Sequence, residues 1–168
     1  MEDLETYACL IGKIIVNLHS LEFILRCYLS NRNDPPNATL APGALQKLKV
    51  GDVVPLGEMT NFDTLGELID RYNQYIPDLA FAVDRSVIDL RDALAHGRAS
   101  AFDRPEITLM KFAKPARGAQ ETSVVYAEVL NETWLNTQRK RVRDELLKVF
   151  EANKRLRPPG TVLEQPPW

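Results

Sequence analysis

Apolar side chains recur along residues 3–31 with a period of seven. Leu4, Ile11, Leu18 and Leu25 form one row, and Tyr7, Ile14, Leu21 and Tyr28 form a second. Two such rows predict one long helix. Ala8, Ile15 and Leu29 widen the stripe, whereas Cys9, Val16 and Phe23 lie on another side. A helix apolar on more than one side is either central to a bundle or used in an interface. Glu22 falls inside the wide stripe. A carboxylate there needs a structural partner or a place in a site.

Residues 32–61 contain Pro35, Pro36, Pro42, Pro55, Gly43, Gly51 and Gly57. They predict a long connection with one helical turn around Ala44–Leu48. Thr64-Leu65-Gly66-Glu67 has the form of a capping box. It predicts a short helix with Leu65, Leu68, Ile69 and Tyr72 on one side. Pro77 predicts the start of a further helix that runs to Gly97, its C-terminal stop. The core stripe of that helix is Leu79, Val83, Val87, Leu90 and Leu94.

After Pro105 the period changes. Ile107 to Phe112 and Ser123 to Leu130 predict two strands joined by a loop with Pro115 and Gly118, a β-hairpin. Asn131 or Thr133 caps a last helix with Leu135, Val142, Leu146, Val149, Phe150 and Leu156 on its apolar face. The proline-rich residues 157–168 predict an extended tail, ordered only where Trp168 docks. The expected fold is mainly α, a helical bundle with a long first helix. An appended β-hairpin (about 105–130) and a C-terminal helix complete it. Residues 1–156 are expected to form one domain and 157–168 the tail.

A chain of 168 residues with 45% apolar and 26% charged side chains is of ordinary globular composition. That excludes a largely disordered, collagen-like or purely coiled-coil protein. Lys and Arg number 21 against 23 for Asp and Glu. The net charge of -2 provides no overall field that would draw nucleic acid or an anionic membrane. Cys9 and Cys27 lie about 27 Å apart along one helix. They cannot form a disulfide together, nor share a metal with His19 and His96. The acidic start, MEDLETYACLIGKIIV, lacks the basic region of a secretory signal. Gly12, Lys13, Asn17, His19 and Ser20 interrupt the apolar run, so no membrane span is expected. Together these features predict a cytoplasmic protein with reduced thiols.

The stretch Leu90-Arg91-Asp92-Ala93-Leu94-Ala95-His96-Gly97-Arg98 is the chemically informative one. At about 100° per residue, Arg91 lies about 80° from the core stripe, with Arg85, Asp89, Asp92 and His96 on the opposite face. Ile88 and Ala95 sit between Arg91 and His96, which predicts contact with another helix, from a second subunit. His96 ends the helix, where the macrodipole favours a cation. Asp92, one turn earlier, is placed to accept a hydrogen bond from it. Arg91 and Arg98 are forked cations suited to phosphate. An imidazole can take a proton from a ribose 2′-OH or give one to a leaving 5′-oxygen. An arginine can stabilise charge developing on the phosphoryl oxygens. RNA carries its own nucleophile, so this chemistry calls for no metal and no other cofactor. The same residues also read as ordinary surface pairs, Arg85–Asp89 and Asp92–His96.

Arg91-Asp92-Ala93-Leu94-Ala95-His96 resembles the R-x4-H motif of HEPN domains, in which Asn, Asp or His commonly follows the arginine. The long first helix, with Ile11-Gly12, Leu21-Glu22 and Leu25, fits the same family over about residues 3–100. The resemblance implies a dimeric helical bundle. Many members are metal-independent endoribonucleases of toxin–antitoxin, abortive-infection and CRISPR systems, with the active site at the dimer interface. Carried over, Arg91 and His96 are catalytic and Asp92 is the polar residue after the arginine. Arg98 is the expected substrate-binding cation beside them. The implied partners are a second copy of the chain, RNA and, in the toxin setting, a protein antitoxin, with no membrane and no DNA. Some HEPN toxins carry a modifiable tyrosine soon after the histidine, where Gly97-Arg98-Ala99 stand here. Other members are noncatalytic, so the competing expectation is a dimeric module that binds RNA or a protein through the same groove.

Arg139, Lys140, Arg141, Arg143, Lys148, Lys154, Arg155 and Arg157 crowd the last helix, partly offset by Asp144, Glu145 and Glu151. They read either as phosphate contacts or as a solvated face. Lys111, Lys114 and Arg117 in the hairpin carry the same two readings. Neither G-x-x-x-x-G-K, G-x-G-x-x-G nor G-x-S-x-G occurs, so nucleotide hydrolysis, dinucleotide redox and α/β-hydrolase chemistry are not expected.

Overall fold

The heptad rows fold as expected into one helix, α1 (Glu2–Asn33). The computed structural model describes residues 2–33, 42–101 and 106–156. Pro35, Pro36 and the tail with Trp168 lie outside the described residues. Ile14, Leu18, Leu21, Leu25, Tyr28 and Leu29 are buried, whereas Leu4 and Ile15 of the predicted stripe are exposed. Cys9, Val16 and Phe23 are also exposed. Contrary to expectation, the polar interruptions do not take α1 out of the membrane-span range. Its apolar stretch reaches a mean hydropathy of 1.6 over eighteen residues, a third of them buried inside the protein. Isolated Gly, Asn and His residues among many Leu and Ile residues lower the average too little.

A 3-10 turn covers Pro42–Lys47. The capping box forms in full. Thr64 Oγ1 accepts from the Glu67 amide at 3.3 Å, and Glu67 Oε2 accepts from the Thr64 amide at 2.7 Å. It starts α2 (Leu65–Tyr75), which buries Leu65, Leu68, Ile69 and Tyr72.

The helix expected from Pro77 to Gly97 is shorter. Asp78 caps a 3-10 turn, Leu79–Phe81, by accepting from the Ala80 amide at 3.0 Å. The Asn73 amide side chain then clamps Val83, accepting from its N–H and donating to its carbonyl, each at 2.9 Å. Asp84 accepts from the Ser86 amide at 2.9 Å. These bonds occupy backbone groups that a continuous helix would have used. The result is α3 (Ser86–His96), with Val87, Leu90 and Ala93 buried. Leu94 is half-buried, and Leu79, expected in the core, is 80% exposed.

The expected hairpin is two strands of a three-stranded antiparallel sheet. Its order is β1 (Arg98–Ser100), β2 (Thr108–Phe112), β3 (Val124–Val129). Gly97 joins α3 to β1 with extended backbone, φ -75° and ψ 174°. Its lack of a side chain serves close approach. A Cβ there would run into the Ala93 carbonyl and come within 2.9 Å of Leu109 Cδ1 and of the Met110 carbonyl. The last helix, α4 (Glu132–Leu156), is capped by Asn131, whose Oδ1 accepts from the Trp134 amide at 2.8 Å. Leu135, Val142, Leu146, Val149 and Phe150 are buried on it, and Leu156 is exposed.

The chain divides into two compact units. Of the described residues, one unit takes those within 2–19 and 84–144, the other those within 20–83 and 145–156. In the first, Leu10, Ile14, Val87, Leu90, Leu109, Leu135 and Val142 are buried, and the Asn17 amide donates to the Arg139 carbonyl at 3.5 Å. In the second, the Tyr28 and Tyr72 rings meet edge-on at 4.8 Å, and the Tyr72 hydroxyl donates to the Phe81 carbonyl at 3.0 Å. Such an aromatic pair contributes about 0.5–1.5 kcal/mol beyond the area it buries.

Candidate functional site

The sequence-identified residues belong to the first unit. Arg91, Asp92 and His96 come from α3, and Arg98 opens β1. Five residues at about 100° each set Arg91 and His96 about 140° apart around α3.

Asp92 is the hub of what the fold brings together. Arg91 Nη1 donates to Asp92 Oδ1 at 2.9 Å, and Lys111 Nζ donates to Asp92 Oδ2 at 3.1 Å. Burial disfavours the Asp92 carboxylate, but the hydrogen bonds from Lys111 and Arg91 outweigh it and hold its pKa below the usual range. The expected Asp92–His96 pairing therefore gives way to a different one. Two cations occupy the two carboxylate oxygens. The His96 imidazole is exposed and makes no hydrogen bond among the described residues.

Strand geometry assigns the other groups to faces. Side chains alternate along a strand, and directly opposed residues share a face. Leu109 is buried, and Lys111 reaches α3 from the same face of β2. Tyr126 of β3 opposes Lys111 and shares that face. Burial raises the Tyr126 phenol to about 12, helped by Glu128 and Asp89 and opposed by Arg141. It is a neutral O–H donor at physiological pH. Arg98 opposes Met110 and so lies on the other face, its guanidinium carbon 5.5 Å from the Phe112 ring centre. Lys111, not Arg98, is the cation beside Arg91 and Asp92. Lys111 was legible in the alternation, two residues after an apolar Leu109. The identity of its partner was not.

Glu22, open between structure and site in the sequence, is structural. It accepts from Arg26 at 3.0 Å. The Arg26 guanidinium also donates to the carbonyls of Glu58, Asn61 and Asp63, at 3.1, 3.2 and 2.8 Å. It thereby pins the loop before α2. Four of the seven described cations of α4 also have partners. Arg141 donates to Ser86 Oγ and lies 3.7 Å from Asp84. Lys148 pairs with Glu145 and Lys154 with Glu151, at 2.9 and 2.8 Å. Arg155 pairs with Asp78 at 3.6 Å and covers the Phe81 ring. These pairs favour the solvated-face reading of α4.

An open hollow of about 600 Å³ is lined by Glu5, Thr6, Cys9, Leu10 and Lys13 and by none of the candidate site residues. Among the described residues no three His, Cys, Asp or Glu side chains group as metal ligands. No family model, no curated protein and no solved structure matches the chain, so the likeness to HEPN domains rests on the Arg91–His96 motif and its helical setting.

Proposed function

We propose that the chain is a HEPN-like, metal-independent endoribonuclease of the cytoplasm, acting as a homodimer in a toxin or defence setting. The observation that carries this reading is His96. It is an exposed imidazole with no hydrogen bond among the described residues, at the C-terminal end of α3, five residues after an arginine. In the reaction, His96 takes the proton of a ribose 2′-OH as that oxygen attacks phosphorus. The P–O5′ bond breaks, and the leaving oxygen takes a proton from water. The products are a 2′,3′-cyclic phosphate and a 5′-OH end. Arg91, braced by Asp92, neutralises charge on the phosphoryl oxygens. Because Arg91 and His96 diverge around one α3, a second copy supplies the complementary group. Exposed Ala95 between them, and exposed Cys9 and Val16 on α1, suit such an interface.

A second reading has its own support. Arg91 is already paired with Asp92, and Asp92 with Lys111. A guanidinium so engaged suits a noncatalytic module that binds RNA or a protein.

The deciding assay is purified protein with total RNA in EDTA, wild type beside His96→Ala and Arg91→Ala. The wild type is expected to cut RNA, leaving cyclic phosphate ends, and to spare DNA. His96→Ala should lose about 10²–10⁴-fold in rate with its thermal melt unchanged. If all three proteins leave RNA intact, or all degrade it alike, the noncatalytic reading holds.

A further inference from the structure

The small sheet has one face toward α3 and one open face. Register puts Arg98, Met110, Phe112 and Ala127 together on the open one, and a bulge in β3 at Val125 sets Val124 opposite Phe112. Phe112 is 37% and Val124 52% exposed, and Ala127 and Arg98 are exposed too. The strands contain one carboxylate, Glu128, which opposes Leu109 and so belongs to the other face. Among the described strand residues this face is thus mainly apolar, with Ser100 and Thr108 at one edge, an aromatic ring, an arginine over that ring, and no carboxylate. The β2–β3 loop leaves directly from Phe112 and carries exposed Lys114 and Arg117, with Glu121 further on.

Charge decides among occupants. A second copy stacked face to face would bring Arg98 toward its own counterpart. A single nucleic-acid strand offers a π-face at every base and a negative charge at every phosphate, which match Phe112 and the cations around it. A duplex keeps its bases stacked inside and offers no such match.

We propose that the open sheet face, centred on Phe112 and Arg98, is a stacking platform for single-stranded RNA, with Lys114 and Arg117 holding the backbone. This deepens the endoribonuclease reading by naming where the strand lies, but binding there does not require cleavage.

The test is fluorescence anisotropy of a labelled single-stranded RNA of about twelve nucleotides, a length within the usual footprint of such platforms. The full-length chain carries His96→Ala so that the probe stays intact. Adding Phe112→Ala is expected to weaken binding about 5- to 100-fold, and Phe112→Tyr to restore it. Arg98→Ala should weaken binding and lower the salt slope by about one. Circular dichroism checks that the exposed-site variants remain folded. Absence of binding, or equal binding by Phe112→Ala, overturns the proposal. So does sedimentation in which Phe112→Ala abolishes self-association and leaves RNA affinity alone, which would assign the face to a second copy. RNA bound through Phe112 but never cut by the wild type keeps the platform and removes the nuclease. RNA cut by the wild type with Phe112→Ala fully competent does the reverse.

Discussion

Lys111 Nζ lies 3.1 Å from Asp92 Oδ2, whereas His96, one helical turn further on, makes no bond to that carboxylate. Nineteen residues separate the two in the chain, and they meet because β2 packs on α3. His96 is exposed, and Asp92, held by Lys111, braces Arg91.

Lys111→Met should therefore act on Asp92 more than on the fold. Both side chains are partly exposed, 24% and 30%, so the stability cost is expected to stay within about 1 kcal/mol. The Asp92 carboxyl should titrate at higher pH once its strongest charge partner is gone. Carboxyl-resolved NMR titration of both proteins measures this. An unchanged Asp92 would mean that Arg91 alone holds it down.

Two glycines should respond to alanine for opposite reasons. At Gly97 the backbone suits any residue, but a Cβ collides with the Ala93 carbonyl and with β2. Overpacking of this kind costs about 1–3 kcal/mol. At Gly118 there is open space but φ is +83°, so the cost is conformational, about 1 kcal/mol. Urea denaturation should rank Gly97→Ala as the more damaging. Equal midpoints for Gly97→Ala and wild type would show that β1 has room to move off α3.

Glu58 should govern part of the acid sensitivity. It is 8% exposed and accepts from Arg71, and from Asn33 and Asn61 at 3.0 and 3.2 Å. Burial opposes its charge, but the bonds from Arg71, Asn33 and Asn61 prevail, so its pKa is lowered on folding. The unfolded chain then takes up the proton first as pH falls. The stabilisation is complete above about pH 5, beyond the unfolded carboxyl range, and is lost as pH falls through the lower folded value. Glu58→Gln should be less stable at neutral pH and show a shallower decline on acidification. Arg71→Met, which leaves the Glu58 charge uncompensated, should be hurt more at pH 7 than near pH 4. Urea midpoints across that range decide it, and parallel pH profiles for wild type and Glu58→Gln would contradict the assignment.

Sequence alone determined the features set by neighbours along the chain. The heptad rows specified α1, because one face of a helix must be apolar to pack. Thr64 and Glu67 specified the start of α2, because a capping box closes within four residues. Alternation located β2 and β3, and Asn131 the start of α4. The R-x4-H spacing and the terminal position of His96 were legible for the same reason. The tertiary structure decided what depends on contacts distant in sequence. The Asn73 clamp on Val83 and the Asp78 and Asp84 turns broke a stretch whose periodicity alone read as one helix. β1 had no signal, since Arg98-Ala99-Ser100 has no apolar alternation and exists only because β2 offers it backbone partners. Asp92 chose Lys111 over His96 for a related reason. Helical spacing brings an imidazole within reach, but only the folded sheet can deliver the Lys111 cation, and in a partly buried setting a carboxylate pairs with the charges that best offset its desolvation.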